Sequence, residues 1–517
     1  MLSSIDFTIV AVYAVALFLL AQWISRESAG QAKNSNDYFL AGNALPWWAI
    51  GASLIAANIS AEQIIGMSGS GYAIGLAIAS YEWMAAITLI LVGKYLLPVF
   101  LKSGIYTMPQ FLEQRFDGRV RTVMAFFWLG VYVFVNLTAI LWLGALAINT
   151  VAGVDLIYGL IFLGVFSIAY SLYGGLKAVA FTDIIQVTLL VFGGLLIAWI
   201  LLQEVSGGEG IISGMSILMD RAPEKFDMIL STDSPHYASL PGLSVLIGGM
   251  WVMNLSYWGF NQYIIQRALA AKSLDEAQKG IAFAAFLKLL MPVIVVLPGI
   301  AMFVLDGGGS SPDQAYPNAM TLLPEGIKGL VFAALLAAIV SSLASMTNSI
   351  STIFTLDVYP HFGGNPDTNP VLVGRWVAAI AMVIAMITAQ PLLGNFDQAF
   401  QYIQEFTGFF TPGIVVIFVL GIFYKKTTAD AALTAAIGSA VFSFLFKILW
   451  PELPFIDRVG LVFVICAALA LVVSALRPQP QSGAVELSEV NFATSTGFNF
   501  ASVLVALILA AFYVTWW

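Results

Sequence analysis

Charge is what this chain lacks most. Of its 517 residues only 10% are charged, 21 Lys and Arg with 29 Asp and Glu, against about a quarter in an ordinary soluble domain. That scarcity nearly excludes a soluble enzyme of this length. Reactive side chains are equally few. The one cysteine, Cys466, sits alone in an apolar run and there are two histidines, so neither a disulfide framework nor a Cys/His metal site can be assembled. Basic clusters are missing as well: the net charge is −8 and the pI about 4.8, which argues against the electropositive face of a nucleic-acid binder. No Lys or Arg precedes Arg26. The first apolar run therefore lacks the basic start of a cleaved signal peptide and reads as a retained span. No catalytic nucleophile, triad or metal cluster marks an enzyme.

What the chain has is apolar length. Hydrophobic residues make up 60% of it, roughly 310 residues, material for a dozen or more membrane crossings at about 20 residues each. Punctuated by Gly, Pro and charge, the runs fall at 6–25, 46–71, 80–100, 121–150, 156–174, 180–203, 243–266, 280–305, 328–355, 371–390, 399–423, 429–448, 457–476 and 499–516. The expected fold is thus an all-α polytopic membrane protein of about fourteen transmembrane helices, a single transporter domain. With the N-terminus outside, fifteen Lys and Arg fall on the cytoplasmic side (Arg26, Lys33, Lys94, Lys102, Arg115, Arg119, Arg121, Lys177, Arg267, Lys272, Lys279, Arg375, Lys425, Lys426 and Arg477). Five fall outside (Arg221, Lys225, Lys328, Lys447 and Arg458). By the positive-inside rule both termini are expected outside a cell inner membrane. Segments 204–242 and 306–327 read as solvated outer loops, and 477–498 as a cytoplasmic linker.

Two spans are wrong for plain lipid-facing helices. IAANISAEQIIGMSGSGY at 55–72 carries Asn58, Ser60, Glu62, Gln63, Ser68 and Ser70 among three glycines. LIGGMWVMNLSYWGFNQYIIQ at 246–266 is interrupted by Gly248, Gly249, Asn254, Ser256, Gly259, Asn261 and Gln262. Polar or irregular backbone survives at membrane depth only where it is buried in protein or lines a wet cavity. These are the second and seventh spans, five apart, so they cross in opposite directions. That pattern belongs to inverted-repeat transporters and predicts repeats at about 46–203 and 243–423, with 6–25 before them and 429–448, 457–476 and 499–516 after. Close packing through small residues accounts for the glycines equally well, but not for Glu62, Gln63 and Asn254 together.

Ionisable groups in spans cost about 2.5–3.5 kcal/mol on insertion scales and mark function by default. Four stand out: Glu62, Glu82, Asp183 and Lys288. Glu82, in SYEWM, also fits an interfacial position. Asp183 and Glu62 also fit helix caps. Lys288, among Phe286, Leu287, Leu289 and Leu290, needs an acceptor, and Glu82 or a bound polyol would serve. In another span Ala338, Ser341 and Ser342 share one helical face; membrane Ser usually bonds back to its own helix, yet two hydroxyls facing free carbonyls of a broken helix also make an oxygen set for a hard monovalent cation. The run QAFQYIQEFTG adds Gln401, Gln404 and Glu405, followed by Gly408 and Pro412.

These segments, with DYFLAG at 37–42, LPWWAIGASLIAANISAEQIIGMSGSGY at 45–72, SYEWM at 80–84, YSLYGGLKAVAFTDIIQ at 170–186, YWGFNQYIIQR at 257–267, AAFLKL at 284–289, AAIVSSLAS at 337–345 and FQYIQEFTG at 400–408, resemble the sodium/solute symporter family. Within it the resemblance is to the bacterial sodium/galactose branch of the sodium/glucose cotransporter group, over nearly the whole chain. The resemblance implies a LeuT-type core of two inverted five-helix repeats. It implies sugar binding by Gln63, Glu82, Asn254, Lys288 and Gln404 in a pocket lined by Tyr81 and Trp258. Met67 and Tyr257 become outer and inner gates, with Asn58 supporting Tyr257. Sodium would be held by carbonyls of Ala56, Ile59 and Ala338 and hydroxyls of Ser341 and Ser342, with Asp183 near the ion exit path. The group carries Ser where this chain has Ala85, which leaves the preferred sugar open.

The expected activity is sodium-coupled import of a neutral hexose, galactose or glucose, by alternating access, with sodium as coupling ion and no cofactor. The competing readings are a sodium symporter for a polyol, sialic acid or amino acid, and a membrane sensor on the same fold. An anionic solute is disfavoured by Glu82, unless Lys288 neutralises both; a sensor usually carries an appended soluble domain, of which this chain has no sign.

Overall fold

The computed structural model describes residues 2–25, 45–105, 107–171, 176–363, 370–394, 398–480 and 483–517, side chains at 18, 21–25, 170–171, 176–183, 361 and 370–371 excepted. DYFLAG lies outside the described residues, and so does the side chain of Asp183. Among the described residues the regular elements are helical, with one isolated β-bridge between Leu45 and Ala271.

The helices relevant to the site are α1 (Ser4–Ser25), α2 (Trp47–Asn58), α3 (Glu62–Ala73), α4 (Leu76–Ser103), α5 (Gly118–Ala152), α6 (Leu156–Ser171) and α7 (Leu176–Val205). They are followed by α8 (Gly249–Leu255), α9 (Gln262–Leu269), α10 (Leu274–Asp306), α11 (Ile327–Val358) and α12 (Pro370–Leu393). The last five are α13 (Ala399–Thr407), α14 (Thr411–Phe423), α15 (Ala429–Leu449), α16 (Phe455–Leu476) and α17 (Thr496–Thr515). Among the described residues nine helices are long and apolar enough to cross a membrane, or eleven when the bent pairs α2–α3 and α13–α14 each count as one. The expectation of fourteen is not reached on this criterion. Ser4–Leu17 and Leu156–Ala169 are shorter apolar helices, and α8 and α9, of 7 and 8 residues, are each too short to span about 30 Å of hydrocarbon at 1.5 Å per residue.

Both expected interruptions are present. Between α2 and α3 the backbone leaves helical space at Ile59 (φ −75°, ψ 87°), and the two halves diverge by 64°. Between α8 and α9 it becomes extended at Asn261 (φ −81°, ψ 123°). Several helices also contain a wide π-turn: Glu62–Gly66, Val92–Leu96, Tyr132–Leu137, Ser256–Phe260 and Phe354–Val358. Such one-turn bulges occur frequently at functional sites.

The long helix α10, capped by Ser273 and ended by Gly307 in the left-handed region (φ 65°), packs on α2, α3, α4 and α7. Its closeness to the first broken helix is set by glycine. A Cβ on Gly71 would lie 2.7 Å from the Val296 carbonyl oxygen, and one on Gly51 2.7 Å from that of Gly280. Small-residue packing thus explains these glycines, while the polar residues beside them have another role. The α11 helix packs on α1, α2, α6 and α7.

Contacts between helix ends agree with alternating crossings. The start of α1 meets the start of α11 through Asp6 Oδ1, which accepts from the Gly326 and Gly329 amides at 2.7 and 2.9 Å. The end of α5 reaches the same region, where the Leu2 amide donates to the Val151 carbonyl. At the opposite end Lys102 and Lys425 pair with Glu489 and Glu486 of segment 477–498. One expectation is corrected here. Segment 306–327 is not merely a solvated connection, because it contains the helix Ala315–Thr321, whose Ala315, Tyr316, Ala319 and Met320 are buried against the bundle. A Gly/Ser/Pro-rich start hides the apolar face that follows it.

Candidate functional site

The break in α2–α3 assembles a polar cluster in the middle of the bundle. Asn58 closes α2, and Gln63 lies in the π-turn that opens α3. Glu82 comes from the first α-helical turn of α4, after its 3₁₀ start at Leu76–Ala79, and Lys288 from the middle of α10. The Lys288 Nζ donates to Glu82 Oε2 at 2.6 Å and also to Asn58 Oδ1. The Gln63 amide donates to the other carboxylate oxygen of Glu82, and lies 3.2 Å from the sulfur of Met67. All four polar side chains are buried, Lys288 completely. A buried charge is tolerated when it is paired and its remaining hydrogen-bonding capacity is satisfied, and each of these residues supplies that condition for the next.

Aromatic rings enclose the cluster. Lys288 Nζ sits 4.8 Å from the Trp258 ring centre, a cation–π contact. Asn58 Nδ2 donates to the Tyr257 hydroxyl at 3.1 Å, which lies 2.7 Å from the Tyr263 hydroxyl. Tyr132 donates to Asn261 Oδ1 at 2.6 Å, tying the second break to α5. On another side Tyr81 packs edge-on against Phe400 at 5.1 Å, and its buried hydroxyl has no hydrogen-bond partner. Ala85, buried one turn beyond Glu82, offers no hydroxyl.

The structure brings together Asn58, Gln63, Met67, Glu82, Tyr257, Trp258 and Lys288. It does not bring every nominated residue into the cluster by hydrogen bonds. Asn254 is buried but donates to the Met250 carbonyl of its own helix. Gln404 is half-buried on α13, and among the described residues no hydrogen bond joins it to the four. Glu62 is corrected as a cap. The residue before it, Ala61, is already helical, the helix start carries no side-chain cap bond, and the carboxylate lies buried within electrostatic reach of Lys288 and Glu82. Glu405 turns away from the centre, to Lys447 at 2.7 Å and Arg458 at 3.2 Å. Sequence reasoning missed Tyr263, Tyr132 and Phe400, which carry no sign distinguishing them from ordinary membrane aromatics.

The proposed cation ligands also converge by element. Ala56, Ile59, Ala338, Ser341 and Ser342 are all buried, and α11 packs on α2. The Ser342 hydroxyl is buried with no hydrogen-bond partner. It does not bond back to its own helix, as membrane serines usually do. An unpartnered buried hydroxyl invites explanation by a missing ion or ligand, and oxygen-only donors suit a hard cation. Among the described residues no cluster of three or more His, Cys, Asp or Glu could hold a metal.

A multi-pass helical protein with two interrupted crossings around a buried polar cluster has the architecture of a secondary transporter. The comparisons with known proteins agree and refine the class. A family model described as the sodium:solute symporter family matches residues 38–438. The sodium/glucose cotransporter of Vibrio parahaemolyticus is 49% identical over 540 aligned residues, covering 100% of this chain and 99% of that protein. The human sodium/glucose cotransporter 4 is 33% identical, covering 83% of this chain and 67% of its own. Among solved structures, that of a substrate-bound, outward-open Na⁺-coupled sialic acid symporter superimposes with a TM-score of 0.79 at 24% identity, over 93% of this chain and 99% of that one; the two share the LeuT-type fold. The chain belongs to the sodium:solute symporter family.

Proposed function

We propose that this chain imports a neutral hexose, galactose or glucose, with sodium as the co-transported ion. The observation that carries this reading is the Glu82–Lys288 pair, fixed at a helix break by Asn58 and Gln63 under aromatic cover. A hexose offers hydroxyls that both donate and accept, together with an apolar ring face. A carboxylate, an ammonium and two amides can exchange partners with those hydroxyls without leaving a buried group unsatisfied. A substrate anion would meet the Glu82 carboxylate, whose charge Lys288 already balances. Gln63, Glu82, Lys288, Asn254 and Gln404 are assigned to the sugar, Tyr81 and Trp258 to the pocket wall, Met67 to the outer gate and Tyr257 with Asn58 to the inner one.

Sodium is assigned to the carbonyls of Ala56, Ile59 and Ala338 and the hydroxyls of Ser341 and Ser342. Two of these atoms, the carbonyls of Ala56 and Ile59, belong to or adjoin the break and the other three come from α11, so the ion holds α2–α3 in the geometry that presents Asn58 and Gln63. Sodium binding then strengthens sugar binding, and by linkage the reverse holds. Asp183 is assigned to the ion exit. A 100 mV potential contributes about 2.3 kcal/mol per charge and a tenfold sodium gradient about 1.4. Together these sustain a sugar gradient of roughly several hundred-fold. The reading includes fourteen crossings of the inner membrane, repeats at about 46–203 and 243–423, both termini outside, and no catalytic step.

The test is uptake of labelled galactose into proteoliposomes with and without an inward sodium gradient, followed by competition from glucose, myo-inositol, sialic acid and proline. Sodium-stimulated uptake displaced by hexoses alone is expected. Uptake indifferent to sodium would remove the coupling, and displacement by sialic acid or proline alone would replace the substrate class.

A further inference from the structure

Segment 306–314 runs across one end of the first broken helix and is stitched to it. The Tyr72 hydroxyl of α3 donates to Asp306 Oδ1 at 2.8 Å and accepts from the Ser310 amide at 3.0 Å, and its ring packs edge-on against Phe303 at 5.5 Å. Next along the segment, Pro312 and Asp313 press on Gly69. A Cβ there would lie 2.6 Å from Asp313 Oδ1 and 2.9 Å from the Pro312 carbonyl oxygen. Asp313 is buried, and its Oδ2 accepts the backbone amide of Ala399 at 2.9 Å. Ala399 is the first residue of α13, and Gln398 before it provides no side-chain cap. The first amide of that helix is thus met by a carboxylate from a distant segment, where the helix dipole also favours negative charge. Beside it the Ser70 hydroxyl donates to Gln398 Oε1 at 3.2 Å.

The helix so held is only half a crossing. Ala399–Thr407 bends 47° from Thr411–Phe423, and it carries both Phe400, which covers Tyr81, and Gln404. We propose that 306–314 is a strap and Asp313 a positioning residue, whose bond to the Ala399 amide holds α13 against α3 with the end of the pathway that contains 306–314 closed. Entry from that end requires the bond to break and the half-helix to swing about the bend at Gly408–Pro412. Calling that end outer, and reading transport kinetics from it, rests on the orientation and sodium coupling proposed above.

The experiment uses the full chain in right-side-out proteoliposomes, with Cys466→Ala as background and Ser70→Cys as reporter, since Ser70 is buried beneath the strap. A membrane-impermeant maleimide is applied from outside. Asp313→Ala is expected to raise the labelling rate about tenfold, and Asp313→Asn, which keeps an acceptor oxygen for the Ala399 amide but not its charge, by less. With more carriers open to the outside, Asp313→Ala should also lower the apparent external sodium KM and lower Vmax, because binding-competent carriers are more populated while the return step is slowed. Labelling unchanged within twofold in both variants overturns the proposal. So does a rise accompanied by a higher sodium KM, which is the mark of general loosening. If Asp313→Ala does not fold, Asp313→Asn alone decides. A second reporter, Glu209→Cys in segment 204–242, reads orientation: labelling only after permeabilisation means that the sides are reversed, and the Ser70→Cys rates are then read from the other face. Absence of sodium-dependent uptake would strike the transport reading while leaving the labelling comparison decisive for the strap.

Discussion

Glu82 and Glu405 are both carboxylates within the helical bundle and both face a lysine, yet their surroundings differ. At the centre, Glu82 and Lys288 expose 4% and 0% of their side chains and are hydrogen-bonded onward to Gln63 and Asn58. At the periphery Glu405 is 27% exposed and shared by two cations, Lys447 and Arg458. Those cations lie over the rings of Phe406 and Phe409. The central pair is dry and surrounded by groups that can trade partners with a ligand. The peripheral trio is partly exposed and carries more positive than negative charge, so it ties α13 to α15 and α16 without needing any guest. On the function proposed above, similar residue types serve recognition in one place and fastening in the other, and burial separates the two uses.

Mutation should widen this contrast. The largest effect is expected for Lys288→Met, which leaves Glu82 buried without its cation. Breaking a buried pair on one side costs about 3–5 kcal/mol, so thermal unfolding in detergent should show a marked loss of stability and sodium-driven uptake should fall more than about 100-fold. The double variant Glu82→Gln with Lys288→Met removes the stranded charge. It should recover much of the stability and none of the uptake, and recovered uptake would show that the pair is only structural. Next, Ser342→Ala and Gln404→Ala should each reduce uptake about tenfold or more, the first by raising the sodium KM and the second by raising the sugar KM. A Ser342→Ala protein with unaltered sodium dependence would remove that hydroxyl from the ion site. Smaller still, Glu405→Gln should cost about 1 kcal/mol of stability, the upper range for partly exposed pairs. Its sugar KM should stay within a factor of two. Least of all, Lys102→Ala, which removes a pair exposed by 43% and 68%, should leave both uptake and melting temperature unchanged.

The centre of this molecule is legible in its sequence for a physical reason. A Lys flanked by Phe286, Leu287, Leu289 and Leu290 has no cheap explanation in a bilayer, and neither has a Glu–Gln pair beside glycines, so composition alone points to buried partners. The breaks at Ile59 and Asn261 are legible in the same way. What could not be read are choices between equivalent partners. Nothing in the order of residues says that Asn58 accepts from Lys288 as well as supporting Tyr257, or that Asn254 turns to its own helix. Asp313 is the clearest miss. An Asp after Gly307, Gly308, Gly309, Ser310, Ser311 and Pro312 has the composition of a solvated turn, and only the folded chain brings it to the Ala399 amide. Glu405 fails in the opposite direction: it stands in a polar run with Gln401 and Gln404, and helical geometry sends it to the far side.

The wide turn at Glu62–Gly66 has a consequence for how this protein tolerates change. A π-turn is an α-helix holding one extra residue, and each residue of an α-helix advances the side chains by about 100°. Inserting one more residue into a turn that already holds an extra one would leave composition, hydropathy and length almost untouched while rotating all of Met67–Ala73 out of phase. Gly69 would no longer face Pro312, nor Gly71 Val296, and methyl-bearing or bulkier neighbours would meet surfaces that accept only hydrogen. The site is thus written in angular register as well as in residue type, and insertions within this short stretch should be far rarer than substitutions.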